Sequence, residues 1–263
     1  MIAILAAAGF SFFFVLISTP LAIRILRRRS IGQFVREDGP KAHFVKKGTP
    51  TMGGVVIIGG AITAYVISHY VGRVTEFTTS GLLAIATVGA MGLLGFVDDY
   101  LKISRRRSLG LNKTTKILGQ AAIAVGFVAV VPHTQAVQEV SFVRPLGVGL
   151  VGIVFVLWIF LIIAATTNGT NLADGLDGLC SGSGAMVMGA YVIIAFWQVR
   201  HVCGGLGGEA GCYVAPHSLD LALVAASLLG ALAGFLWWNA APAKIFMGDT
   251  GSLALGGGMA ALA

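Results

Sequence analysis

The chain has 263 residues, 56% of them hydrophobic and only 11% charged, with a mean hydropathy of +0.87 and a net charge of +7. This balance excludes an ordinary soluble domain. The positive charge does not point to nucleic acid, because its spacing along the chain follows membrane topology.

Eight apolar segments follow in order, at about 2–23, 52–71, 79–97, 117–132, 147–166, 180–199, 218–238 and 252–263. Runs of about 20 apolar residues are long enough to cross a hydrocarbon core of roughly 30 Å. Lipid offers no partner to backbone N–H and C=O groups, so the spans are expected to be helices. Barrel strands would be short and alternating, and these runs are continuous. The expected fold is therefore all-α: one membrane-embedded polytopic bundle over 1–263, with seven to eight transmembrane helices. The first segment lacks a charged leader and a cleavage site and reads as a retained span. The eighth is only 12 residues long, ending at Ala263, too few to span, so the sequence reads as incomplete at its C-terminus.

Between the spans, loops alternate in charge. Loop 24–51 carries Arg24, Arg27, Arg28, Arg29, Arg36, Lys41, Lys46 and Lys47, and loop 98–116 carries Lys102, Arg105, Arg106, Arg107, Lys113 and Lys116. With Lys244, fifteen of the eighteen basic residues fall on one side, leaving Arg73, Arg144 and Arg200 on the other. The positive-inside rule places the fifteen in the cytoplasm and the N-terminus outside. Four of the five histidines fall outside or at the outer boundary, so no His-based site assembles. Cys203 and Cys212 share an outer loop, where a disulfide and two free thiols are equally open.

All five motif aspartates lie on the basic side, at span ends. A carboxylate beside a lipid-embedded helix is costly and marks function. The first motif, Lys46 to Gly54, offers a cation and a hydroxyl, with Lys46 and Thr51 adjoining the Gly-Pro punctuation. In GFVDDYLK, Asp98 and Asp99 are neighbours, about 100° apart on a helix, so they are expected to divide the work, with Lys102 one turn on. In TNGTNLADGLDGL, the spacing of Asn171, Asp174 and Asp177 by three predicts one polar helical stripe opposite Leu172, Leu176 and Leu179. No basic residue neutralises that loop, so a cation or lysines from elsewhere must. In NAAPAKIFMGDTGS, Pro242 ends the preceding helix and Asp249 sits between glycines. Free N–H groups and hydroxyls at the following helix start suit phosphate oxygens, and Asp249 suits Mg²⁺.

GTPTMGG, GFVDDYLK, NLADGLDGL and NAAPAKIFMGDTGSLALGG together resemble the cytoplasmic signatures of the phospho-N-acetylmuramoyl-pentapeptide transferase family. The match extends from residue 48 to 258. The resemblance implies a Mg²⁺-dependent enzyme of the bacterial inner membrane, usually a homodimer with ten transmembrane helices. It transfers phospho-MurNAc-pentapeptide from UDP-MurNAc-pentapeptide to undecaprenyl phosphate, releasing UMP. Carried over by motif, Asp98, Asp99 and Asp249 form the catalytic trio, with Asp249 and Asp174 at the metal. Lys46, Thr51, Lys102, Asn171, Asp174, Asp177, Asn239, Phe246 and Gly248 line the substrate pocket. The family's later His-rich loop and last two helices have no counterpart before Ala263, so this 263-residue form is not expected to turn over by itself. The alternatives are a sibling that transfers GlcNAc-1-phosphate and, as a non-enzyme, a cation transporter. A transporter would hold its acids near the midplane, in discontinuous helices.

Overall fold

The computed structural model describes residues 1–28, 48–71, 76–105, 110–134, 139–141, 145–201, 203 and 217–263. Its elements in chain order are α1 (Ile2–Arg28), α2 (Gly54–Val71), α3 (Thr79–Ser104), α4 (Lys113–Val130), β1 (Glu139–Ser141), β2 (Pro145–Gly149), α5 (Gly152–Ala173), α6 (Leu179–Arg200), α7 (Ser218–Asn239) and α8 (Gly248–Leu262). Seven of the described helices, α1 to α7, are long and apolar enough to cross a membrane. The chain is a multi-pass membrane protein of the all-α kind expected. The short antiparallel hairpin β1–β2, with Glu139 opposite Gly149, was not foreseen.

Hydropathy located the spans but not their ends. α3 runs on to Ser104 rather than stopping at 97, α4 begins at Lys113 rather than 117, and α5 reaches Ala173 rather than 166. Likewise α8 begins at Gly248 rather than 252. The reason is physical: apolarity ends where lipid ends, whereas i→i−4 bonding continues into polar sequence until a cap or turn stops it. Asn112 is such a cap, its Oδ1 accepting the Thr115 N–H at 2.7 Å.

α7 is the axis of the bundle. It is packed on most sides, with 72% of its most apolar stretch buried, against 17% for α4 and α5. Small residues let α1 approach it closely: a Cβ on Gly234 would lie 2.5 Å from the Phe12 carbonyl oxygen. Pro20 inside α1 has no N–H, which leaves the Leu16 carbonyl without its helical donor. The Trp238 indole of α7 supplies one, Nε1 donating to Leu16 O at 3.0 Å. α8 is the second buried element, with every residue from Gly248 to Gly258 buried except Asp249.

The two ends of the bundle are both polar. At one, Asp220 in the first turn of α7 accepts from Tyr65 Oη (3.1 Å), Thr78 N (2.8 Å) and Thr78 Oγ1 (2.7 Å), with His69 Nε2 3.2 Å away. The other holds the C-terminal ends of α3, α5 and α7 and the starts of α4, α6 and α8. All five motif aspartates gather there.

Candidate functional site

Asp98 and Asp99 occupy the last two turns of α3 and are 1% and 3% exposed. Being adjacent, they point to different neighbours. Asp98 faces two lysines: Lys102 Nζ lies 2.6 Å from its Oδ2, and Lys116 Nζ 3.5 Å from its Oδ1. The Leu111 N–H also donates to Asp98 Oδ1, at 2.8 Å. This loop approaches so closely because residue 110 is glycine, where a Cβ would lie 2.6 Å from the same oxygen. Asp99 turns instead to the start of α8. It accepts from Asp249 N (3.2 Å), Thr250 N (2.9 Å) and Thr250 Oγ1 (2.8 Å).

Asp249 sits in the first turn of α8 and completes the cluster. Its Oδ1 lies 3.0 Å from Lys102 Nζ and its Oδ2 2.6 Å from Lys116 Nζ. Two glycines permit this placement. Gly95 brings α3 against the Asp249 backbone, where a Cβ would collide with the Asp249 carbonyl. Gly248 has φ +74°, and a Cβ there would lie 2.6 Å from Asp99 Oδ2 and 2.9 Å from Thr51 Oγ1.

Carboxylate oxygens of Asp98, Asp99 and Asp249 all lie within 4.8 Å of one another. Three carboxylates against two ammonium groups leave one formal negative charge in a largely buried site. Asp98 Oδ2 lies against the Lys102 ammonium at 2.6 Å. An all-oxygen set with spare lone pairs suits a hard divalent cation, so these residues could hold a metal. Asp99 accepts three hydrogen bonds from α8, more than reach Asp98 or Asp249 from backbone and hydroxyl groups, so these two have the freer lone pairs.

The remaining sequence candidates surround this cluster. Asn171, Asp174 and Asp177 do not form one helical stripe: α5 ends at Ala173, Asp174 caps it, and a turn carries the chain to Gly178. All three still face α8 or the connection that leads into it. Asn171 Nδ2 donates to Ser252 Oγ (3.3 Å), Asp174 Oδ2 accepts from Gly248 N (2.9 Å) and Asp177 Oδ2 from Ala243 N (3.1 Å). Burial pushes the Asp174 carboxyl well above the usual carboxylate range, opposed by the Gly248 N–H.

The α8 start is therefore not a row of free N–H groups for phosphate. Asp99 and Asp174 take them at Gly248, Asp249 and Thr250, a partnership that local spacing does not reveal. Asn239 is 1% exposed and ties three elements together. Its Oδ1 accepts from Gly178 N (3.2 Å) and Ser181 Oγ (2.7 Å), and its Nδ2 donates to Ile245 O (3.0 Å). Phe246 is 4% exposed, with its N–H bonded to Pro50 O and its carbonyl to Gly53 N. Its ring is packed rather than presented to an open surface. Lys46 lies outside the described residues, as does Cys212; Cys203 is disulfide-bonded. Lys116 is the residue sequence reasoning passed over, read only as one of six basic residues in its loop.

The family model described as Glycosyl transferase family 4 matches residues 81–263, and the Phospho-N-acetylmuramoyl-pentapeptide-transferase signature 1 matches residues 46–58. Among similar proteins, the phospho-N-acetylmuramoyl-pentapeptide-transferase of Frankia casuarinae is 51% identical, over 99% of this chain and 75% of the relative. That of Renibacterium salmoninarum is 47% identical over 100% of this chain and 77% of its own length. The Streptomyces avermitilis protein of the same name is 46% identical over 99% and 75%.

Proposed function

The chain belongs to the phospho-N-acetylmuramoyl-pentapeptide-transferase family, and on that premise we propose that it joins phospho-MurNAc-pentapeptide, from UDP-MurNAc-pentapeptide, to undecaprenyl phosphate. The products are lipid I and UMP. The reaction is placed at the cytoplasmic face of the bacterial inner membrane, as a homodimer. The family supports the dimer and the membrane, and the fifteen basic residues on one side support the orientation.

One observation carries the chemistry: Asp98, Asp99 and Asp249 meet Lys102 and Lys116 at one end of the membrane bundle. In the proposed reaction an oxygen of the lipid phosphate attacks the sugar-linked phosphorus. A P–O bond forms there, and the P–O bond to UMP breaks. Both reactants are anionic, so catalysis consists mostly of neutralising charge and holding the groups in line. Lys102 and Lys116 supply two positive charges at the mouth of the site. Asp98, the acid facing both lysines, orients the lipid phosphate or accepts its proton. Asp99 holds the start of α8, and through it Asp249. The substrate pocket is completed by Lys46, Thr51, Asn171, Asp174 and Asp177. We assign the metal to Mg²⁺, held by Asp249 and Asp98, with Asp174, the other residue the resemblance puts at the metal, beside them at the Gly248 N–H; when bound, it would supply charge stabilisation at the diphosphate and the departing UMP.

The 46–58 signature and the 46–51% identity support the muramoyl donor over GlcNAc-1-phosphate. The gathering of acids at one end, rather than the midplane, supports a transferase over a cation transporter. The test compares UDP-MurNAc-pentapeptide with UDP-GlcNAc as donor, with undecaprenyl phosphate and Mg²⁺, using protein expressed from the complete reading frame. UMP release from the muramoyl donor is expected. Release from UDP-GlcNAc alone would transfer the assignment to the sibling reaction.

A further inference from the structure

We propose that Gln120, in the bilayer-embedded part of α4, is a positioning residue that sets the rotation of α4 and thereby aims Lys116 at Asp98 and Asp249. The inference deepens the transferase reading and rests on it for its kinetic arm alone.

Within the bilayer α4 has few apolar anchors: Gly119 meets Leu94, and Ala124 belongs to a small cluster with Met91, Ile163 and Leu253. Only Gln120 and Ala124 are buried along its whole length, and the rest of the helix is partly or fully exposed. Lipid is as apolar as the side chains it would replace, so apolar contact selects a rotation angle only weakly. A polar side chain inside the bundle is directional and selects it strongly, as a buried polar residue fixes register in coiled coils.

Gln120 is fully buried and doubly bonded to α5. Its Nε2 donates to Thr167 Oγ1 at 3.0 Å, and its Oε1 accepts from Asn168 Nδ2 at 3.5 Å. The polarity is consistent throughout. Thr167 spends its own hydroxyl hydrogen on Ile163 O (2.6 Å), leaving a lone pair for Gln120. Asn168 gives one amide hydrogen to Ala164 O (2.7 Å) and has the other for Gln120. Turning α4 about its axis would break both bonds and strand an amide in an apolar interior.

Lys116 precedes Gln120 by four residues and so lies on the same face of α4, one turn nearer the site. Its ammonium reaches Asp249 Oδ2 at 2.6 Å. Asp249 belongs to α8, and α8 is indexed to the same point of α5: a Cβ on Gly256 would collide with the Thr167 Cα. Thr167 thus meets α4 through its hydroxyl and α8 through its backbone. Lys116 and Asp249, carried on different helices, share one reference at mid-bundle.

The test uses Gln120→Leu and, as a second route to the same lesion, Thr167→Val, in protein expressed from the complete reading frame. The first readout is independent of turnover. Lysine acylation by a water-soluble ester, quantified by mass spectrometry, compares Lys116 with exposed Lys113 in the same helix. Both variants should raise the Lys116/Lys113 labelling ratio several-fold. The second readout is a double-mutant cycle on kcat. Gln120→Leu alone should cost roughly tenfold, and should cost nothing further in a Lys116→Met background. An unchanged labelling ratio in both variants, or losses that multiply in the cycle, would overturn the proposal. Wild-type protein that shows the labelling pattern but makes no lipid I would refute the transferase reading and leave the positioning role standing.

Discussion

Asp99 and Thr250 are joined twice across the α3–α8 boundary: the Thr250 N–H and its hydroxyl both donate to Asp99 Oδ2, at 2.9 and 2.8 Å. With the Asp249 N–H on Oδ1, Asp99 serves as the anionic cap of α8. Its neighbour Asp98 accepts the Leu111 N–H and lies nearest Lys102 and Lys116, while Lys102 also reaches Asp99 Oδ1, at 3.5 Å.

That division predicts different consequences for the two aspartates. Asp99→Ala leaves three donors of α8 without their acceptor, in a site where Asp99 is 3% exposed. Each hydrogen bond to a charged group contributes on the order of 1.5–3 kcal/mol, so the variant should lose several degrees of melting temperature as well as activity. Asp98→Asn keeps the Leu111 bond and should melt close to wild type while losing at least about a hundredfold in kcat. Thermal denaturation in detergent, paired with lipid I synthesis, separates the two. Equal melting temperatures for both variants would refute the division.

Close backbone approach at Gly95 predicts a steric requirement. A methyl at this position meets the Asp249 carbonyl, which cannot retreat without moving α8. Gly95→Ala should cost about 1–3 kcal/mol from overpacking and displace Asp249 from the lysines. Activity should fall further than stability alone explains, measurable as a kcat loss at a temperature where the variant is fully folded.

Removing a lysine should expose the metal preference of the carboxylates. In Lys116→Met, Asp249 Oδ2 and Asp98 Oδ1 lose an ammonium. The variant should melt lower than wild type in EDTA and regain more of its melting temperature on adding Mg²⁺, because the cation restores the missing positive charge. A Mg²⁺ response no greater than that of wild type would argue that the cluster does not hold the ion.

The polar cluster at the opposite end should matter for folding and not for chemistry. Asp220 is 2% exposed and carries the Tyr65, Thr78 and His69 contacts. Asp220→Ala should lower the melting temperature markedly while leaving kcat per folded molecule near wild type. A large kcat loss at full folding would show that the two ends are coupled.

Hydropathy alone made the spans legible, and motif order brought the five aspartates to one end. The finer assignments depended on packing. Adjacency indicated that Asp98 and Asp99 would part company, but only the fold shows that Asp99 caps α8. The three-residue spacing of Asn171, Asp174 and Asp177 suggested a stripe, yet Asp174 closes α5 and the turn to Gly178 follows. Asn239 is assigned to the pocket by the motif resemblance alone, and nothing in its local sequence shows what else it holds. Its role in the fold is tertiary, a brace across α6 and α7. Lys116 was indistinguishable from its basic neighbours, because nothing in loop 98–116 says which ammonium turns inward. Gln120, the single long polar residue within an apolar run, was the one available signal for where α4 is held.

Asp98, Asp249 and their lysines are proposed to form a Mg²⁺-dependent phosphotransfer site. Its most direct test is lipid I formation from UDP-MurNAc-pentapeptide and undecaprenyl phosphate, by wild type and Asp249→Asn, with Mg²⁺ and with EDTA. Wild type should be active only with Mg²⁺, and Asp249→Asn should be inactive in both while remaining folded. Sustained synthesis in EDTA, or by the folded Asp249→Asn variant, would contradict it.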